Sequence, residues 1–113
     1  MANTFKVDTN ADLTTNAITD AAAVITTAGA SATVILLSVL VSNKSGTSAS
    51  VDVQLDPNSG DDVFLIRNAP IPAGSSLELI SGSKIIMESS DILRARADTA
   101  SALDIAVSYL EQT

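Results

Sequence analysis

The chain has 113 residues, the usual size of one domain, and 46% of them are hydrophobic. Its formal charge is −7, from 13 acidic and 6 basic residues; this speaks against nucleic acid as a partner, because phosphate binding needs a basic face. There is no Cys and no His, which removes disulfides, thiol chemistry, the commonest general base and the commonest metal ligand.

Residues 1–20, "MANTFKVDTNADLTTNAITD", are polar and show no clear period. They read as an extended N-terminal arm ahead of a folded domain spanning 21–113. The start lacks the apolar segment of a signal peptide. A weak helix is conceivable within "ADLTTNAITDAAAVI", capped at Asn10 or Asp12, but its threonines argue against it. Strands and turns follow. "AAAVITT" (21–27) reads as a short strand. "ATVILLSVLVSNK" (32–44) is apolar on both faces, with Val34, Leu36 and Leu40 on one and Ile35, Leu37, Val39 and Val41 on the other. Such a strand is central or lies at a subunit contact. Its apolar run is about half of the ~20 residues a transmembrane helix needs, so no membrane partner is expected.

"ASVDVQLD" (49–56) alternates strictly and predicts a half-buried strand. "PNSGDD" is a loop, and "VFLIR" (63–67) the next strand. In "NAPIPAGS", Pro70 and Pro72 lack an N–H and fix φ, which predicts that pairing stops around Ile71. The segment would cross between sheets and let Ile71 plug one end of the core. Strands are expected at "SSLELI" (75–80), "KIIM" (84–87), "ILRARA" (92–97) and "ALDIAVSYLE" (102–111), with tight turns at 81–83, 88–91 and 98–101. About eight short strands at these spacings predict an all-β antiparallel sandwich or jelly roll. Aromatic residues number three, Phe5, Phe64 and Tyr109, so the core is built from small aliphatics. These bury little area each, and burial between subunits would supplement them.

Chemistry is sparse. Asp56, Asp61 and Asp62 flank a loop that does not match a Ca²⁺-binding EF-hand, and they read as a solvated acidic turn. Glu88 and Asp91 flank a turn with no pocket nearby. The serines have no His partner and no nucleophile elbow, and no phosphate-binding glycine loop is present. Neither an enzyme nor a cofactor is expected. Arg94 and Arg96 share one strand face, with Lys84 as a prospective cross-strand neighbour. They form either an inter-subunit ion-pair patch or a charged edge that blocks unwanted strand pairing.

Three stretches, "VILLSVLVSNKSGTSASVDVQL", "FLIRNAPIPAGSSLELI" and "ALDIAVSYLE", resemble small all-β virion proteins of tailed bacteriophages, especially marine and cyanobacterial ones. The resemblance covers about two thirds of the chain and rests on structural motifs. It implies a virion protein, made in the host cytoplasm, in the first two of three roles; the third is a reading from another class that does not rest on the resemblance. The first is a capsid decoration (cement) protein that binds the outer capsid surface as a trimer or other symmetric homo-oligomer. The second is a neck or tail collar subunit. The third is a carbohydrate- or receptor-binding module. In these roles the partners are the chain itself and the major capsid protein or neck and tail proteins. The expected contact residues are Phe5, Val7 and Leu13 on the arm and Arg94 and Arg96 in a polar contact.

Overall fold

Alternation along the chain becomes two sheets closed on a shared aliphatic core. The computed structural model describes residues 2–80 and 84–113; the turn expected at 81–83 lies outside them. The described residues form nine strands: β1 (Asn3–Asn10), β2 (Val24–Thr27), β3 (Thr33–Asn43), β4 (Ala49–Asp56), β5 (Val63–Ile71), β6 (Ser76–Glu78), β7 (Ile85–Met87), β8 (Ile92–Ala97) and β9 (Leu103–Gln112). Sheet A runs β1-β9-β3, and both β6 and β7 pair with the far side of β3. Sheet B runs β2-β8-β4-β5. All pairings are antiparallel. The result is a β-sandwich, as the strand count and turn spacing predict.

The inward sets pack together between the layers. Leu36, Val39, Val41, Leu103, Ile105 and Val107 of sheet A meet Val51, Val53, Leu93, Ala95 and Ala97 of sheet B. Tyr109 joins this core. Desolvation, with the Asp8 carboxylate second, raises the pKa of its phenol.

Four features depart from the sequence reading. First, the segment read as an arm contains β1, paired with β9 from Asn3↔Gln112 to Asn10↔Ile105. Second, the strand expected over 21–27 begins only at Val24; Ala21–Ala23 form a single 3-10 turn, and the Asp20 carboxylate caps it by accepting from the Ala22 N–H. Third, β3 carries a bulge between Leu36 and Ser38. The extra residue flips the side-chain parity. Val34 and Leu36 point inward before it, Val39 and Val41 after it, and Leu40 faces out. A constant two-residue period cannot show that.

Fourth, the strand expected at 63–67 runs on past Arg67 and through Pro70, and pairing stops at Ile71 as expected. β5 continues through Pro70 to Ile71, opposite Ser50 and Ala49 of β4. It is an edge strand, where a missing N–H can face solvent without breaking a ladder. The crossing itself is as expected: β5 lies in sheet B, β6 in sheet A, and Ile71 between them is buried in the core. Buried Asn43 holds it there. Its amide donates to the carbonyls of Ile71 at 2.8 Å and Thr47 at 2.9 Å. Gly74, at φ 73°, completes the turn and donates to the Asn43 carbonyl at 3.0 Å.

Glu78 shows how the bulge in β3 is stabilised. Its carboxylate accepts from the backbone N–H groups of Val39 at 2.9 Å and Ile80 at 3.0 Å, and from the Ser38 hydroxyl. Desolvation alone would raise its pKa, but these hydrogen bonds outweigh it and hold the carboxyl below its ordinary value. A carboxylate so depressed contributes stability that is complete above its unfolded pKa and is lost as pH falls through the lower folded one. Glu78→Gln will therefore flatten the acid limb of stability against pH, read by urea melts at stepped pH. An unchanged acid limb would refute this role.

Candidate functional site

The register places an uncovered apolar band on the outer face of sheet A. Residues paired across antiparallel strands share a face. Phe5 of β1 lies opposite Leu110 of β9, Leu110 opposite Ile35 of β3, and Ile35 opposite Ile86 of β7. These four side chains form one row across the whole sheet. Phe5 is 76% exposed and Ile86 60% exposed at its two ends. The next row is Val7, Ser108 and Ser38; a further row is Thr9, Ala106, Leu40 and Glu78. An open depression of about 240 Å³ lies beside this third row, lined by Thr9, Leu40, Ser42, Asp104 and Ala106 among others.

Charge is confined to one end of the face. The outward charged positions on the described strands of sheet A are Asp104 and Glu78. Asp104 is paired with Lys44 at 2.8 Å. Lys6 lies opposite Tyr109, on the inward parity, and binds Glu111 at 2.8 Å. That hydrogen bond raises the Lys6 pKa. The centre of the face is thus apolar and hydroxyl-bearing on a chain of net charge −7. Small serines and alanines at its centre leave the larger apolar side chains standing around them.

The expected contact residues separate into three groups. Phe5 and Val7 are exposed on the outer face, at 76% and 59%. Leu13 is 1% exposed and sits in the chain's own core, so it cannot reach a neighbour. Arg94 and Arg96 are engaged within the chain. Arg94 Nε meets Asp56 at 3.0 Å, and Arg96 Nη1 meets Asp52 at 3.1 Å. The two guanidinium groups also donate to the carbonyls of Thr15, Asn16 and Asp20, which clamps segment 15–20 to sheet B. Strand β8 is interior to its sheet, so these arginines protect no edge. Lys84 precedes β7 in the other sheet and is no cross-strand neighbour of them.

The acidic loop is exposed from Asn58 to Asp62, as a solvated turn would be. Asp62 shares a hydrogen bond with Asp56, which raises the Asp62 pKa. The same bond, with Arg94 next, lowers that of Asp56. Among the described residues no three acidic side chains converge as a metal site requires. Asp91 ties its turn by accepting from the N–H groups of Glu88 at 2.9 Å and Asn58 at 2.8 Å.

Sequence reasoning singled out Phe5 and Val7 but missed Ile35, Leu40, Ile86 and Leu110 as their companions. The signal was present in the two apolar faces of 32–44; cross-strand register was needed to place the rest. A second, smaller apolar spot lies on β5, where Phe64 is partly covered by the Arg67 guanidinium 5.0 Å from its ring centre. No family model matches this chain. No match was found among curated proteins or among solved structures.

Proposed function

We propose that the chain is a non-enzymatic structural subunit of a virion, a capsid decoration protein that binds the outer capsid surface as an oligomer. The observation that carries this reading is the row Phe5–Leu110–Ile35–Ile86, which crosses sheet A on its open face. Covering one large apolar side chain fully stabilises a contact by about 1.5–3 kcal/mol. A shell that seats this face gains such terms at every copy, and binding to the assembled state stabilises that state by mass action. The resemblance of its strand and proline motifs to phage virion proteins gives the reading its direction, and the mechanism needs no reacting group.

The test is the stoichiometry of this chain in purified particles, by quantitative mass spectrometry against the major capsid protein. One copy per one to a few capsid subunits is the expected result. A dozen or fewer per particle would move the chain to the neck or tail. Absence from particles would return it to a free receptor- or carbohydrate-binding module. Ile86→Asp probes the face itself. Ile86 is 60% exposed, so the variant keeps its fold, and its affinity for particles should fall at least tenfold, the equivalent of about 1.4 kcal/mol. Unchanged affinity would remove the face from the contact.

A further inference from the structure

The two sheets end in edges that are treated very differently. β5, the edge of sheet B, carries Pro70, two register shifts and Asn68 at φ 52°. β2, the opposite edge, is four residues long and bulged. β6 and β7 are three residues each. All of these are devices that blunt strand addition. β1 is eight residues long, free of Pro and Gly, and keeps one register with β9 throughout; the charges it carries are Lys6 and Asp8, of opposite sign.

Its hydrogen-bonding phase is set by Ala2 and Thr113, which exchange both backbone bonds at 3.0 and 2.9 Å. In an antiparallel ladder the bonded pairs then recur at every second residue. Residues 4, 6, 8 and 10 therefore point their backbone groups at β9. The N–H and C=O groups of Asn3, Phe5, Val7 and Thr9 point out of the edge, and no described hydrogen bond reaches them.

We infer that β1 pairs antiparallel with β1 of a second copy of this chain, about a two-fold axis at Val7, joining two A sheets into one. Charge selects both the partner and the register. With Val7 opposite Val7, Lys6 of each copy faces Asp8 of the other, Phe5 faces Thr9, and Thr4 faces Asn10. Centring on Lys6 instead sets two lysines opposite each other; centring on Asp8 sets two aspartates. Centring on Phe5 shortens the ladder to Asn3–Val7. A shift of one residue puts Phe5 and Val7 on the wrong face. In the Val7 register Phe5 and Val7 of both copies cluster on the outer face through direct and diagonal contacts. This deepens the oligomer half of the proposed function and needs nothing of its capsid half.

The experiment is sedimentation equilibrium on the purified chain, with Lys6→Asp and Asp8→Lys tested alone and mixed, and circular dichroism confirming that each is folded. The native chain is expected at twice its chain mass. Each single variant opposes like charges at both crossings and should be monomeric, with at least tenfold weaker association. An equimolar mixture sets unlike charges opposite again and should recover the double mass. A monomeric native chain overturns the inference. So does an oligomer that both variants retain, or a mixture that stays monomeric. None of these outcomes depends on whether the chain is found in particles.

Discussion

Leu13→Ala will destabilise the isolated chain by about 2–5 kcal/mol, the range for truncating a buried leucine. Leu13 is 1% exposed and lies in the core cluster with Leu103, Ala97 and Ala102. Its N–H donates to the Leu103 carbonyl at 3.1 Å, and the Thr14 carbonyl accepts from the Ala97 N–H at 2.8 Å. The backbone on both sides is thus fixed, so the cavity left by the missing atoms cannot easily collapse. Urea unfolding of the free protein measures the effect. A leucine reserved for a neighbouring subunit would leave that stability within about 0.5 kcal/mol of native, as surface changes usually do. That result would restore residues 11–20 to the status of a free arm.

Arg96→Ala comes next in size. Asp52 keeps only 10% of its side-chain surface exposed, and Arg96 keeps 27%. One Asp52 oxygen takes the arginine; the other accepts from the Asn68 N–H at 2.7 Å, where β5 is bulged. Removing the guanidinium strands a largely buried carboxylate and frees the carbonyls of Thr15 and Asn16 at once. Breaking a fully buried pair costs about 3–5 kcal/mol. Partial solvent contact brings the expectation here to about 2–3 kcal/mol. Asp52→Leu combined with Arg96→Met should recover the part of that loss due to the stranded charge, while the Asn68 N–H and the Thr15 and Asn16 carbonyls stay without these partners. Amide exchange should quicken first in residues 15–20. Unaltered exchange there would mean that the arginine does not hold the segment.

These two sites mark where the sequence was legible and where it was not. The apolar alternation in 49–56, 92–97 and 102–111 maps onto β4, β8 and β9, but β4 is not half-buried as expected: Asp52 and Gln54 on its other face are buried too, at 8% and 7%. The crossing at Ile71 was readable from two prolines. β1 was not, for a physical reason: its apolar residues, Phe5 and Val7, point out, and it is held by main-chain bonds to β9. A search for buried periodicity passes over such a strand. Arg94 and Arg96 look like surface charges because their partners, Asp52 and Asp56, lie about forty residues away in sequence (38 and 44). The apolar row on sheet A joins four strands, and no local pattern contains it.

The position of β9 constrains the order of events during folding. It is interior to sheet A, bonded to β1 on one side and to β3 on the other. On an emerging nascent chain, β1 and β3 therefore have no common partner until residues 103–112 are free of the ribosome. Sheet B is complete earlier, since β8 ends at Ala97. Such long-range pairing closes slowly. Through that interval the N-terminal strand waits with Phe5 and Val7 uncovered and both of its edges open, which is when wrong partners are most readily captured. The same eight residues thus sit at the centre of the risk during synthesis and of the contact after it.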